Sequence, residues 1–482
     1  MVEFHGIKAT ETFAQRSTAV VQANTLPIYF GTAPINLVAN PADAVNRVVL
    51  AHNFDDFKKK LGYSDNWESF TLCEAAFAHF VENEQGPVAF VNVLELADTE
   101  DTPAEAAVFV DGIHMINKEG VLKASVTVGP AGGEPTYQLN KDYALTFNDA
   151  GKLVISIITG GAIPAGTNSL QVGYKSLKPS AVNAARIIGG SDAETGVRTG
   201  LELIEDVFLD TSLVPNLIVA PGFSDNPTIA ALMVAKARDI NGLFEAHAIT
   251  DLDASQKYVT ASQWKEDNGY TDHLQTNTYP MATYKGRVYH MSTLVAARMV
   301  ATDQANGGIP VQTPSNQPIT ADGLIYADGT PVNIPYDQAN MLNANGIVTA
   351  IRWQDGYRAW GNRLGAYPEF TDAQRAFIPV RRMFSFIKNN LVLRHWQKLD
   401  NPLNRRLIES IADDANIWIN GFVGAGYLLG GRVEFRATDN PDDQLGNGKM
   451  VYRVFITPPS VAQEIEFIVA YDASYLTALT AA

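Results

Sequence analysis

The chain has 482 residues and a formal net charge of −16, from 36 Lys and Arg against 52 Asp and Glu. Its 46% hydrophobic content is enough to bury sizeable cores and excludes an intrinsically disordered chain, and the length points to roughly three domains of about 150 residues. The net acidity argues against a protein whose main task is coating nucleic acid.

Residues 1–25 hold no long apolar run around Phe4, Phe13 and Val20-Val21. They are either frayed or an arm that needs a partner. From Pro27 the signals sharpen. Ile28-Tyr29-Phe30 and Arg47–Leu50 read as short strands, Asp55–Leu61 as a short helix, and Ser64-Asp65-Asn66 as the cap of a second helix. Trp67, Phe70, Cys73, Phe77, Phe80 and Val81 give that helix an apolar face, so Cys73 reads as an inert core thiol. The run Val88–Leu94 has no polar alternation and predicts a strand buried on both faces, as in a parallel sheet covered by helices.

Asp98–Pro103 marks a boundary, after which the period changes. Alternation at Leu122–Val128, Leu153–Ile157 and Leu170–Tyr174, punctuated by Gly and Pro, predicts an antiparallel β-module of sandwich or small-barrel type. From Ala181 the α/β pattern resumes. Leu217–Ala220 predicts a strand, Pro227 opens a helix to about Ile240, Leu243–Ile249 a strand and Ala254–Lys265 a helix. Arg287–Met291 leads as a strand into a helix at Ser292–Val300, Asn306–Pro335 reads as a long loop, and Gly346–Trp353 with Tyr357–Trp360 forms a hairpin about Asp355-Gly356. A helix from Pro379 and a second carrying Leu407, Ile411, Trp418 and Phe422 follow, then strands near Val433–Phe435, Val451–Ile456 and Ile465–Val469.

The chemistry is sparse. Eight scattered histidines lack the i, i+4 spacing of a helical metal site, and no carboxylate cluster accompanies any of them. There is no Gly-x-Ser-x-Gly elbow and no phosphate-binding loop, and Gly421–Gly426 has the wrong spacing for a dinucleotide loop. No catalytic residue, cofactor site or metal site is therefore assigned. The single cysteine excludes an intrachain disulfide framework and a cysteine-based zinc site. No run approaches the ~18 apolar residues of a membrane span, and Met1–Gly6 has neither the basic nor the apolar region of a signal peptide. A soluble, intracellularly made α/β protein is expected. One charge feature stands out: eleven basic residues against four acidic ones over Arg352–Arg406 leave +7 there and −23 elsewhere. They are solvated helix faces, a docking face for an acidic partner or, least favoured because no stacking aromatics are interleaved with them, a nucleic-acid surface.

The segment Gly346–Arg363, with Arg352, Gly356, Tyr357, Arg358, Trp360, Gly361, Asn362 and Arg363, resembles the G-[IV]-x-x-[IL]-R-…-G-[FY]-R-x-W-G-N-R signature of contractile-tail sheath proteins. Leu217–Gly222 followed by a helix, and Pro458-Pro459 before an alternating strand, agree in order. The resemblance implies an α/β fold: a central doubly wound domain of subtilisin-like topology (residues 26–102 and 179–365) and a C-terminal α+β domain (366–482) ending in a β-strand arm. It leaves 1–25 as an N-terminal arm and 103–178 as the inserted β-module. It also implies a structural subunit polymerising as six-fold rings around a tail tube, with baseplate and tail terminator proteins as further partners. Neither direct nucleic-acid binding nor membrane insertion is expected of it. Contraction would drive the tube through the host envelope for genome ejection, after assembly in the host cytoplasm, with no enzymatic step and no cofactor. Ile465, Phe467 and Val469 are then the inter-subunit strand candidates. Arg381, Arg382, Lys388, Arg394, Lys398, Arg405 and Arg406 are the tube-facing ones. Competing readings are a hydrolase on the α/β core, or a virion decoration or adhesin protein with a carbohydrate-binding β-module.

Overall fold

A computed structural model describes residues 25–132 and 136–479. The expected N-terminal arm therefore lies outside the described residues, apart from Thr25. The chain opens with β1 (Leu26–Gly31), β2 (Val48–Ala51), α1 (Phe54–Leu61), α2 (Thr71–Ala76, continuing as a π turn to Glu82) and β3 (Val88–Asn92). Six strands of an antiparallel unit follow: β4 (Thr99–Val108), β5 (Ile113–Met115), β6 (Thr127–Gly129), β7 (Tyr143–Phe147), β8 (Leu153–Ile157) and β9 (Ser169–Leu177). Next come α3 (Ala184–Ile188), the small hairpin β10 (Gly190–Ser191) and β11 (Arg198–Thr199), and α4 (Ile204–Thr211). The alternation of strand and helix resumes with β12 (Pro215–Val219), α5 (Pro227–Arg238), β13 (His247–Asp251), α6 (Ala261–Asp267) and β14 (Gln275–Thr278). Then follow β15 (Met281–Tyr284), β16 (Arg287–Tyr289), α7 (Met291–Ala305), β17 (Gly323–Ile325), β18 (Pro331–Val332) and α8 (Tyr336–Asn343). The last third is β19 (Ile347–Trp353), β20 (Gly356–Trp360), α9 (Ala373–Ala376), α10 (Ile378–His395), α11 (Arg405–Gly424), β21 (Gly430–Phe435) and β22 (Tyr452–Thr457).

The main sheet has eight strands in the order β2-β3-β1-β12-β13-β14-β19-β20. The six inner strands are mutually parallel, and β2 and β20 close the edges antiparallel. All residues of β1, β3, β13 and β14 are buried, as strands covered on both faces must be. Pro27 and Pro215 sit at the entry of the central pair, where the β1–β12 register is broken, because proline has no N–H to give a ladder. After β1 the chain builds outward to β3, then resumes on the other side with β12, so the loops after β1 and β12 diverge.

Three apolar cores are distinct. The largest surrounds the main sheet. A second, centred on Val128, Leu153, Ile155 and Val172, fills the unit formed by β4 to β9. The third joins α10, α11 and the two-stranded sheet β21–β22 through Met383, Phe386, Ile387, Ala415 and Ile419. Helix α10 serves two of them: Ile378, Val392 and Leu393 pack into the first core, Met383 and Phe386 into the third.

Several expectations shift. The second helix starts at Thr71, not near Asn66. Asn66 spends its side chain on the Ser69 amide, and the helix begins where Thr71 and Leu72 amides find Thr32. Residues 254–260 are turns because the Asp253 carboxylate binds Ser255 and Gln256. Asp98–Pro103 is largely strand: β4 is a sheet edge, and its register breaks between Thr102 and Glu105, around Pro103. The alternating stretch Leu122–Val128 collapses to a 3-10 turn and the short β6. Ile465–Val469 forms no strand, since nothing within the described chain pairs with it.

Candidate functional site

The signature segment is an edge hairpin locked at both ends. β19 and β20 pair Arg352 with Tyr357 and Ile351 with Arg358. Tyr357 is buried, and Arg352 is exposed near the hairpin tip. Arg358 donates to both Asp355 oxygens at 3.1 and 2.5 Å and to the Asn316 carbonyl at 2.6 Å. Trp360 Nε1 donates to Asn340 Oδ1 at 2.9 Å, tying β20 to α8. Gly361 has φ +136°, and a Cβ there would stand 3.0 Å from Val348 Cα, so only glycine fits. The Asn362 carbonyl accepts the Ile378 amide at 3.0 Å, which fixes the start of α10. Arg363 lies against the rings of Tyr367 and Phe377.

Of the basic candidates, Arg381 and Arg382 do not face out. Both are buried. Arg381 donates to Glu245 Oε1 at 2.7 Å, while Ser385 and Lys388 donate to the same carboxylate at 2.5 Å. Burial would raise the Glu245 carboxyl, but the Arg381 charge and the Lys388 and Ser385 bonds hold it below its ordinary value. Arg382 forms a two-pronged pair with Asp303, which also accepts Thr25 Oγ1 at 2.6 Å. These arginines turn inward because α10 is wedged between two cores and both faces of its first turns are covered. Arg394 is bidentate with Asp414 at 2.6 and 2.7 Å. Lys388 stays half-exposed despite its partner, Lys398 is partly exposed, and Arg405 and Arg406 are exposed at the start of α11. Trp396 and Leu399 stand exposed in the turn around Lys398, between α10 and α11.

The strand candidates Ile465, Phe467 and Val469 are 71, 85 and 94% exposed. Every residue from Glu464 to Leu476 is exposed.

The sequence reading missed one cluster, and its expectation that no carboxylates gather at a histidine is corrected here. His290 Nδ1 lies 3.1 Å from both oxygens of Glu74, which also accepts Thr293 Oγ1 at 2.6 Å. Beside it, Asp251 accepts the Ser292 amide and hydroxyl, Ser224 Oγ and Thr278 Oγ1. Burial would lower the His290 pKa, but the Glu74 charge and hydrogen bond, with Asp251 and Asp225, lift it to about 9. The carboxylates of Glu74 and Asp251 accept the His290 and Ser292 amides at the start of α7, and the imidazolium ties α7 to α2 at the crevice where the loops after β1 and β12 part. A cleft of about 860 Å³, between the β4–β9 unit and the main sheet, opens onto this crevice. Ser224 Oγ bonds Asp251 and accepts the Asp251 amide. Both carboxylates have their donors, which makes the cluster a staple. Nothing local signals it, because Glu74 and His290 are 216 residues apart. Among the described residues no group of His, Cys, Asp or Glu could hold a metal ion, and no helix is long and apolar enough to cross a membrane.

The fold is that of contractile-sheath subunits. The sheath of an extracellular contractile injection system, solved by cryo-EM as the PVC sheath complex in its contracted state, superposes with TM-score 0.58 at 13% identity, covering 98% of this chain and 99% of that one. The tail sheath protein of Burkholderia phage BcepMu is 26% identical over 98% of both chains. That of Escherichia phage P2 is 23% identical over 58% of this chain and 68% of that one. No protein-family model matches the chain. The chain is similar over nearly its whole length to a phage tail sheath protein, and it is a structural subunit of a contractile tail sheath and a virion component.

Proposed function

We propose that copies of this chain stack as six-fold rings around a tail tube, linked by their terminal arms, and that the assembly shortens to drive the tube through the host envelope for genome ejection. The observation that carries this reading is the bare tail: Ile465, Phe467, Ile468 and Val469 are all exposed and have no partner strand in the described chain. An extended apolar segment of this kind gains main-chain hydrogen bonds by joining the sheet of a neighbour. Among the described residues the two-stranded sheet β21–β22 has no third strand; Asn416 already takes the Val433 amide and carbonyl on β21, so it is β22 that offers an edge, and a sheet marginal alone is stabilised by accepting a strand there. Four to six added bonds at about 1 kcal/mol each give a tether of several kcal/mol, which holds while the bulky parts slide.

In this reading residues 26–102 and 179–365 form the subtilisin-like sheath core and 366–482 the C-terminal domain. Lys388, Lys398, Arg405 and Arg406 supply the tube-facing charge, and Arg394, neutralised by Asp414, contributes least. The unit at 103–178 decorates the outside. Baseplate and terminator proteins cap the ends, assembly takes place in the host cytoplasm, and no enzymatic step, cofactor, membrane insertion or direct nucleic-acid contact is involved. The extended sheath is the metastable state and a trigger at the baseplate releases it. The test is electron microscopy of the full chain and of a chain ending at Gln463. Striated hollow polymers from the first and none from the second are expected; polymers that form and shorten normally without the tail would overturn the proposal.

A further inference from the structure

The C-terminal tail does not leave the body where the last strand ends. β22 finishes at Thr457, Pro458 is buried, Val461 is half-buried, and unbroken exposure begins only at Ala462. The side chain that holds the tail there is Gln463, whose Oε1 accepts a 2.7 Å bond from Arg363 Nη2. Arg363 does not depend on the tail for its position. Its guanidinium sits 4.3 Å from the Tyr367 ring centroid and 3.9 Å from that of Phe377. The backbone on both sides is stapled: Arg363 bridges Phe377, the Leu364 amide donates to Ala376 and the Ile378 amide to Asn362. A planar cation between two rings, anchored at its backbone, is a fixed fork with one outward prong.

We propose that Arg363 is the positioning residue of the C-terminal tail, a hook that sets where and in which direction the tail departs toward a neighbouring copy. This rests on the tail being an inter-subunit strand. Held at Gln463, residues Glu464–Leu476 reach about 45 Å when extended; released back to Pro458, the tether lengthens by roughly 17 Å and loses its heading. The signature Gly361-Asn362-Arg363 thereby gains a purpose that hairpin stability alone does not supply. Gly361 allows the close turn, Asn362 fixes α10, and Arg363 takes the tail.

The test compares Gln463→Ala, which leaves the body untouched, with Arg363→Lys, which keeps the charge but loses the fork. The mobility of a spin label on a cysteine placed at Ala462 of the unassembled full-length chain reads the hook, and electron microscopy of polymers reads its consequence. Both variants are expected to raise the released, mobile fraction of the tail roughly tenfold and to lower the yield or regularity of polymers, with the Gln463→Ala melting temperature unchanged. An unchanged mobile fraction in Gln463→Ala overturns the hook. A larger mobile fraction with polymers of normal yield and spacing overturns its positioning role. The chain ending at Gln463 tests the tail itself: if that chain polymerises normally, the strand-exchange reading fails whatever the label shows.

Discussion

Arg382→Ala is the perturbation that best separates a surface charge from a structural one. The Arg382 side chain is 4% exposed and the Asp303 carboxylate 0%, and the pair is bidentate with a third bond from Thr25. Removing the guanidinium strands a buried carboxylate, which costs about 3–5 kcal/mol, whereas an exposed ion pair costs about 0–1 kcal/mol. With an m-value of about 3 kcal/mol/M, the urea midpoint of the unit containing α10 falls by roughly 1–1.7 M. Adding 0.5 M salt leaves the difference in place, because a buried pair is screened little. The double change Arg382→Met with Asp303→Leu recovers most of the loss, since it removes both charges together. The assay is urea unfolding of the unassembled chain followed by circular dichroism. An Arg382→Ala chain with wild-type stability but impaired tube binding would refute the inward assignment and restore Arg382 to the surface set.

Three further outcomes are expected. His290, lifted from 6.5 to about 9, binds its proton more tightly folded than unfolded; its contribution of about 3 kcal/mol is complete below pH 6.5 and is lost as pH rises through 9. His290→Gln flattens that limb of the stability–pH curve, and an unchanged limb counts against the Glu74 pair as its source. Arg405→Glu with Arg406→Glu shifts stability by less than about 0.5 kcal/mol but weakens co-sedimentation with tail tubes at low salt; equal binding at low salt removes these two from the tube face. Thr99 pairs directly with Leu177, so replacing residues 100–176 by a short turn joins neighbouring ends. It sacrifices the Asn36 and Ser64 contacts and the packing of Leu122 on the main core, together about 2–4 kcal/mol, and melting followed by circular dichroism detects any larger collapse.

What sequence could disclose was what repeats locally. The buried run at β3, Pro227 at the first turn of α5, the hairpin about Asp355-Gly356 and the paired helices α10 and α11 follow from patterns a few residues long. What it concealed depends on partners far along the chain. Counting basic residues from 352 to 406 gave +7, yet Glu245 and Asp303 lie outside that window and neutralise Arg381 and Arg382 in space. Glu74 reaches His290 in the same way. Helix starts failed where Asn66 and Asp253 found a competing turn, an option that composition does not distinguish from a cap.

The placement of strong and weak contacts bears on how such a subunit changes state. The joint between the main core and the C-terminal core is carried by α10, with Glu245, Asp303 and their arginines buried inside it. Opening that joint strands charges at about 3–5 kcal/mol apiece. The outward features are an exposed tail, the edge of β22 and basic residues in water, each contact worth about 1 kcal/mol or less. A conformational change follows the cheapest bonds. Contraction that kept each subunit rigid would break only the outer set, many at a time, whereas bending within the subunit would have to open α10 in every copy. Cross-linking α10 to the main core by engineered cysteines should therefore leave shortening intact, and a cross-linked sheath that assembles but cannot shorten would place the motion inside the subunit.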